Sequence, residues 1–424
     1  MFVFSQTISQ FGDKLDYIAL IAIIGLFPKE RVPLLLSQLA LFITLPVLLF
    51  GPIAGVLVDR WHKKRVMIIC DALRMCCAFL LPMVFILTKN IYMVFIIVFF
   101  MFFLALFFNT ARSAIIPNLV SKKRLLTANS IINFVGRGAT FLGMVLGGLI
   151  IDWPIWQEIF RVAGWVVAFI IDGITFGLSA IMLYLMKVNL KERIIEKEHL
   201  RPRGLFLIVK NGLTKMWLEL RDAVHSILKE KNLTFAIGTI FLMILAGSVI
   251  YVLAIPVIQK EMLWGTRGVG ILAAVGAIGL LSGAYLMGIF GHYFNLKSLI
   301  LFCFMLIGGG LLIFPIINKF YLFVVLCLVC GIAISPIFIG QDTLIHHHAS
   351  EEVRGKIFSL RDWVLNLTFV LGSLLVGTLA TFIHRTILFA IFGGIVLGLS
   401  LSLFIFFERR WNNVKGTTIS PSNQ

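Results

Sequence analysis

Long, continuously apolar segments alternate along this chain with short polar connections. A helix rises about 1.5 Å per residue, so about 20 apolar residues cross the hydrocarbon core of a bilayer. The pattern therefore predicts twelve membrane-spanning helices, near residues 3–27, 33–58, 66–88, 91–111, 126–151, 165–187, 233–259, 268–291, 298–317, 321–345, 356–382 and 386–408. Strands of a barrel would be about half as long and would alternate in polarity. We therefore predict an all-α membrane protein.

One long polar connection divides the predicted helices six and six. Residues 188–231 are rich in Lys, Glu and Arg, and residues 205–227 mix apolar with basic positions, as an interfacial helix would. We predict an N-terminal bundle of residues 1–187, a cytoplasmic linker of residues 188–231, a C-terminal bundle of residues 232–410 and a cytoplasmic tail of residues 411–424.

The two halves of the sequence resemble each other. Residues 55–65 align with residues 288–298 at an offset of 233 residues, and Gly143 aligns with Gly372 at an offset of 229. Repeated bundles of six helices build many secondary transporters, whose substrate site lies near the middle of the membrane. The expected fold is therefore a pair of pseudo-symmetric six-helix bundles.

Composition and charge exclude a large soluble protein and indicate a topology. Of the residues, 60% are hydrophobic and 13% are charged, too few charges to cover a soluble surface. Of the 37 Lys and Arg residues, 25 fall in connections on one side of the predicted membrane and 8 on the other. Since cytoplasmic loops carry the positive excess, we expect both termini in the cytoplasm and the protein in the plasma (cell inner) membrane. We attribute the net charge of +17 to this topology and to contact with anionic membrane lipid, not to nucleic acid.

The connection at residues 55–65, Gly-Val-Leu-Val-Asp-Arg-Trp-His-Lys-Lys-Arg, is the most specific motif of the chain. A basic cytoplasmic loop explains Lys64 and Arg65, but it does not explain Asp59. A carboxylate at the end of the second helix can approach the N-terminus of a neighbouring helix, where the helix dipole favours an anion. We therefore predict a gating role for Asp59 and Arg60, together with Gly55, which begins the motif.

This motif resembles the loop motif of the major facilitator superfamily, with His62 where many members have Gly. Within the superfamily the chain is most similar to the macrolide-efflux and enterobactin-exporter type. The supporting stretches are Phe-Gly-Asp at 11–13, Gly-Pro at 51–52, Ala-Arg-Ser-Ala-Ile-Ile-Pro at 111–117 and Arg-Gly-Lys-Ile-Phe-Ser-Leu at 354–360. The resemblance implies that Asp59 meets the eleventh helix near Gly355, and that this contact favours the outward-open state.

Three glycines of the fifth helix also resemble a superfamily motif. Gly143, Gly147 and Gly148 match the pattern of antiporting members, except that Met144 stands where that pattern has Pro. The alternative is that these glycines only let two helices pack closely.

Charged residues inside the predicted spans are costly and indicate functional sites. Asp13 lies about 15 Å into the first helix by helical rise, and Asp16 shares its face. Because lost hydration disfavours the ionised carboxylate, both are candidate proton or substrate-cation sites. The alternative for Asp13 is a structural ion pair with Arg137 or Arg361.

Further candidates follow from the same criterion. Asp71 and Arg74 are three residues apart and can neutralise each other. Arg137 on the fifth helix, and Arg361 with Asp362 near the start of the eleventh, are candidates to face inward. We expect Asp172 on the sixth helix to lie near the outer surface and close to water.

The sequence shows no Walker loop and no nucleophile motif, so we predict no enzymatic activity and no cofactor. The histidines at 346–348 point in different directions around a helix, so we predict no metal site.

We predict a monomeric secondary transporter that exports small amphiphilic or hydrophobic compounds by alternating access, with protons as the coupling ion. Given 39 Phe, we expect a mostly apolar and aromatic pocket with few charges. The alternative is a lysophospholipid transporter or flippase of the same fold.

Overall fold

The computed structural model describes residues 1–186, 218 and 220–417, and twelve long helices account for most of them. The first six are α1 (Phe2–Ile24), α2 (Val32–Arg60), α3 (Lys63–Thr88), α4 (Ile91–Leu119), α5 (Leu125–Ile151) and α6 (Gly164–Leu185). The other six are α7 (Lys231–Val249), α8 (Gly265–Phe290), α9 (Leu296–Ile313), α10 (Phe320–His348), α11 (Glu351–Leu379) and α12 (Arg385–Thr417). One turn of helix, Ile155–Glu158, precedes α6, and two π-helical turns, Ile250–Ala254 and Val257–Glu261, follow α7.

The predicted all-α membrane fold with twelve helices is confirmed. Eleven of the described helices are long and apolar enough to cross a membrane. The twelfth, α1, carries Asp13, Lys14 and Asp16 in its middle, which lowers its apolar character. Charge inside a helix of membrane length is the mark of a functional segment.

Several helices extend further than the sequence predicts, among them α4 and α10. Helix α4 continues to Leu119, so Arg112 lies within a helix and not in the connection where we expected it. Helix α10 continues to His348. Polar residues at these helix ends hid the continuation, because hydropathy reports the apolar span and not the helix.

The chain forms two compact units. The first contains residues 1–223 and 258–274, and the second contains residues 224–257 and 275–424. In the first unit α1 packs against α5 and α6, while α3 packs against α4 and α6. In the second unit α9 packs against α12, and α7 packs against α11. Most of the predicted linker, residues 188–231, lies outside the described residues, and so does the end of the predicted tail, residues 418–424.

Residues 258–274 belong to the first unit because they bond to its helix ends. The backbone N–H of Arg267, in the first turn of α8, donates to Asp152 Oδ2 at 2.6 Å. The Lys260 ammonium donates to the Phe27 carbonyl oxygen. A carboxylate at a helix N-terminus satisfies N–H groups that have no partner within the helix.

Glycines allow the closest helix contacts in both units. A Cβ added at Gly143 would lie 2.6 Å from the Phe11 carbonyl oxygen, and one added at Gly147 would lie 3.2 Å from the Leu15 side chain. In the second unit, a Cβ at Gly308 would lie 2.8 Å from the Leu397 backbone nitrogen. Small residues let backbones approach where the apolar solvent supplies no hydrophobic drive.

Candidate functional site

Three helices of the first unit bring five charged side chains together. Helix α1 contributes Asp13 and Asp16, α3 contributes Asp71 and Arg74, and α6 contributes Asp172. The spacing of three residues on α1 and on α3 places each pair on one helix face. We call these five residues the charged cluster.

Arg74 is the centre of the cluster. Its side chain is buried, forms an ion pair with Asp13, and holds Nη1 3.8 Å from Asp71 Oδ1. The guanidinium also lies over the Phe176 ring, with Cζ 4.0 Å from the ring centroid, a favourable cation–π arrangement. Asp13 therefore has a structural ion pair with a basic side chain, as the alternative expected, and its partner is Arg74.

Asp71 is buried and bound by a serine pair. The Ser179 hydroxyl donates to Asp71 Oδ2 at 2.5 Å, and the Ser5 and Ser179 hydroxyl oxygens are 2.8 Å apart. Hydrogen bonds to a charged group are about twice as strong as neutral ones. Asp71 thus has both a cation and a hydroxyl to stabilise its charge.

Asp16 and Asp172 are buried with far fewer partners. Asp16 is 4% exposed and Asp172 is 0% exposed. The Thr175 hydroxyl donates to the Asp172 backbone oxygen at 2.8 Å and lies 3.4 Å from Asp172 Oδ1. Asp172 Oδ2 and Asp16 Oδ1 have no hydrogen-bond partner among the described residues. Neither carboxylate has the direct ion pair that Asp13 has.

The expectation that Asp172 lies near water is wrong. Helix α6 begins at Gly164, which puts Asp172 two turns inside the helix, and its side chain faces α1 where Gly12 leaves room. The rule that charges in apolar spans are functional applied to Asp172 as well. What the sequence did not reveal is which face of α6 points inward.

A cavity of about 690 Å³ borders one side of the cluster. It lies among α1, α2, α3 and α4, and its lining residues are Asp13, Lys14, Asp16, Tyr17, Ile43, Val47, Arg74, Met101, Phe102, Ala105, Leu106, Asn109, Thr110 and Ser113. Four of these residues are charged and two are aromatic, so the cavity is more polar than the number of Phe residues led us to expect. The cavity thus has an apolar wall, which includes Ile43, Val47 and Leu106, and an ionic wall, which includes Asp13, Asp16 and Arg74.

Sequence reasoning missed Arg112 and Gln10, which bind each other beside the cluster. With the amide oxygen of Gln10 facing α4, it accepts from Arg112 Nη1 at 2.5 Å, and the amide nitrogen donates to the Gly136 carbonyl oxygen at 3.1 Å. This contact links α1, α4 and α5. A glutamine inside an apolar helix was the available sign, since it needs a hydrogen-bond partner there.

The other three candidates are Arg137 on α5 and two residues of the second unit, Arg361 and Asp362. Arg137 is exposed on α5, and Asp362 is exposed on α11. Arg361 forms an ion pair with Asp342 in the second unit, with Nη2 3.1 Å from Oδ1.

The loop motif lies at the end of α2. Asp59 is exposed there, and its backbone oxygen accepts from the Lys63 ammonium at 2.8 Å. The Lys64 ammonium donates to the carbonyl oxygens of Tyr184 at 3.0 Å and Met186 at 2.8 Å. Lys64 thus binds carbonyl groups at the C-terminus of α6, where a cation is favoured. The gating role of Gly55, Asp59 and Arg60 stays a prediction.

Comparison with known proteins identifies a matching family and several sequence relatives. The family model of the Major Facilitator Superfamily matches residues 7–251 and 235–418. Macrolide efflux protein A of Streptococcus pyogenes is 24% identical over 381 residues, which cover 88% of this chain and 87% of that protein. The putative bacilysin exporter BacE of Bacillus subtilis is 24% identical over 412 residues, covering 96% and 95% of the two chains.

Solved structures share the fold. The structure of a bacterial homologue of the iron transporter ferroportin in an inward-facing state matches with a TM-score of 0.68 and 14% identity, covering 96% of this chain and 97% of that chain. The nucleoside transporter NupG matches with a TM-score of 0.66 and 13% identity, covering 96% and 99%. At this identity, the likeness shows the fold and not the substrate.

Proposed function

This chain belongs to the major facilitator superfamily, and from that premise we propose that it exports small amphiphilic or hydrophobic compounds in exchange for protons. A multi-pass membrane transporter of a small molecule is what the family and the helices support together. The substrate class, the direction and the coupling ion are the parts that we infer from the site.

The surplus of acids over bases in the charged cluster is the observation on which proton coupling rests. The cluster holds four carboxylates, Asp13, Asp16, Asp71 and Asp172, and a single guanidinium, that of Arg74. An uncompensated buried ion costs several kcal/mol, and binding a proton removes that cost for a carboxylate. A cluster of this composition therefore binds protons when isolated from water and releases them when a cation or water reaches it.

The cavity beside the cluster supports an amphiphilic substrate. Its apolar side chains suit a hydrophobic body, and Asp13 and Asp16 on the ionic wall suit a basic group. A cationic group that enters the cavity competes with protons for the same carboxylates, which couples the two movements. Because protons flow down an inward gradient, this exchange drives the substrate outward.

Two relatives have names that agree with export, since one is a macrolide efflux protein and the other a putative bacilysin exporter. The lysophospholipid alternative receives no comparable support from these relatives. We further propose that the protein is a monomer in the cell inner membrane. The distribution of Lys and Arg supports the proposal that both termini are cytoplasmic.

Transport by purified protein in proteoliposomes tests the proposal. The probes are erythromycin, a macrolide, and tetraphenylphosphonium, a hydrophobic cation without a titratable group. We expect accumulation of at least one probe only when a pH gradient is imposed, and collapse of that accumulation on addition of a protonophore. Accumulation of both probes that ignores the gradient would show that protons are not the coupling ion.

Matched variants connect the result to the site. Asp13→Asn removes the carboxylate that pairs with Arg74 and lines the cavity, so we expect it to abolish gradient-driven accumulation. Glu158→Gln removes an exposed carboxylate from the turn before α6 and should transport like the unmodified protein. Equal transport by both variants would contradict a role for the charged cluster.

A further inference from the structure

We propose that Asp16 and Asp172 form a carboxyl pair that shares one proton, and that this pair is the site of the coupling proton. The inference rests on the proposed function and deepens it. It divides the charged cluster into two parts. In one part Arg74 forms ion pairs with Asp13 and Asp71, and in the other part Asp16 and Asp172 share a proton.

The packing of α6 on α1 brings the two carboxyl groups to one place. A Cβ added at Gly12 would overlap Asp172 Oδ1 and Thr175 Oγ1, so this part of α6 lies directly against the α1 backbone. Gly12 and Asp16 are four residues apart and therefore lie on the same face of α1. Asp172 thus contacts the stripe of α1 that holds Asp16.

Unpartnered oxygens show what the pair lacks. Asp16 Oδ1 and Asp172 Oδ2 are buried and have no hydrogen-bond donor among the described residues. Asp71 Oδ1 also has no hydrogen-bond donor there, but Arg74 Nη1 lies 3.8 Å from it. Two ionised carboxylates can only accept hydrogen bonds, so they cannot satisfy each other. A proton on either group supplies an O–H donor for the pair and reduces its charge from −2 to −1.

Two of the surrounding cations, Arg74 and Arg112, bind other groups. From α3, Arg74 faces the pair but forms its ion pairs with Asp13 and Asp71. From α4, Arg112 binds the amide of Gln10. Lys14 on α1 lines the cavity with Nζ 6.0 Å from the Tyr17 ring centroid, and Arg137 on α5 is exposed. Asp13 and Asp71 add further negative charge, so the environment favours a retained proton.

The two members of the pair have different access to water. Asp16 lines the 690 Å³ cavity, whereas Asp172 does not and is fully buried behind it. In the transport cycle the shared proton leaves through Asp16 to water in the cavity, and both carboxylates are then ionised until a proton returns. Asp16 therefore exchanges the proton, and Asp172 sets how tightly the pair holds it.

Infrared spectroscopy of the purified full-length protein tests the pair without any substrate. A protonated carboxyl group has a carbonyl band that carboxylates lack, and that band shifts in D₂O. We expect this band near neutral pH in the unmodified protein and its loss in the Asp16→Asn/Asp172→Asn double variant. In each single variant we expect the midpoint of the band's pH titration to move down by about one unit or more, because the neighbouring negative charge is gone.

Several outcomes decide the matter. A band that survives in the double variant, or a midpoint that neither single variant moves, would overturn the proposal. Asn has the shape of a neutral carboxyl group, so these variants should fold, and Asp172→Glu should keep the band if the pair is real. Glu158→Gln is the matched control and should leave the titration unchanged.

The same variants separate this inference from the proposed function. A titrating band that depends on Asp172, combined with transport that ignores the pH gradient, would leave the pair in place and remove proton-driven export. Gradient-driven transport with a band that neither Asp variant alters would leave export in place and remove the pair.

Discussion

Helices α3 and α9 occupy equivalent positions in the two halves of the sequence, yet their buried faces have opposite chemistry. They begin at Lys63 and Leu296, the 233-residue offset that also aligns the loop motif. At that offset Phe304 takes the place of Asp71, and Ile307 takes the place of Arg74, and all four side chains are buried. The contact of α3 with α6 in the first unit thus buries charged side chains. The contact of α9 with α12 in the second unit buries apolar side chains at the aligned positions.

The comparison shows how differently the two units depend on single residues. The second unit closes its contact with apolar groups, such as Phe314 stacked on Phe389 with ring centroids 4.5 Å apart. Apolar packing is non-directional and tolerates replacement by residues of similar volume. In the first unit each charge depends on its partners, because removal of one leaves another buried and unpaired. The first unit is therefore the one specialised for chemistry.

The largest expected effect comes from removing the cation of the first unit. Arg74→Met leaves the buried Asp71 and the partly exposed Asp13 without their counter-ion, so we expect a loss of about 3–5 kcal/mol of stability. The aligned variant Ile307→Met conserves volume and should lose less than about 1.5 kcal/mol. Thermal unfolding of the two purified proteins in one detergent measures both. Equal unfolding midpoints would show that the ionic character of the first unit does not matter for its stability.

The next variant separates function from stability at the loop motif. Asp59→Asn should lose most probe transport in proteoliposomes while membrane insertion and unfolding temperature stay unchanged, if Asp59 acts in gating. His292 aligns with Asp59 in the second half, and His292→Asn should keep transport. Full transport by the Asp59 variant would show that the motif has no gating role and only orients the helices in the membrane.

A smaller effect is expected where the two units resemble each other. Gly143→Ala and Gly308→Ala each force a Cβ against a neighbouring backbone, so each should destabilise its unit by about 1–3 kcal/mol. Gly138 and Gly309 have open space around an added Cβ, so their Ala variants should be neutral or gain up to about 1 kcal/mol. Unfolding temperatures of the four variants give the comparison. A strong asymmetry between Gly143 and Gly308 would show that the units do not share this packing rule.

The smallest expected effect concerns the end of α6. Lys64→Gln removes a cation from the carbonyl groups of Tyr184 and Met186 and should cost about 0.3–1 kcal/mol. Arg65, which aligns with Ser298, is exposed, and Arg65→Gln should change stability by less than about 0.5 kcal/mol. Hydrogen exchange at the last turn of α6 is the sensitive measurement. Identical exchange in both variants would remove the capping role of Lys64.

Much of the fold could be predicted because the membrane imposes strong local rules. Length and hydropathy located all twelve helices, and the charges within α1 and α3 identified Asp13, Asp16, Asp71 and Arg74 as candidates. These predictions depend on the transfer of each segment from water to lipid, which is a property of the segment itself. The ends of α4 and α10 were missed because a helix can continue into water beyond its apolar part.

The grouping of the charges required the tertiary structure. The sequence alone determined that charged residues lie inside apolar helices, since the cost of burying them is visible in any one segment. Only the packing of α6 against both α1 and α3 decided that Arg74 pairs with Asp13 and that Asp172 lies against α1 at Gly12. The physical reason is that an ion pair depends on distances between helices, and hydropathy contains no information about which helix faces meet.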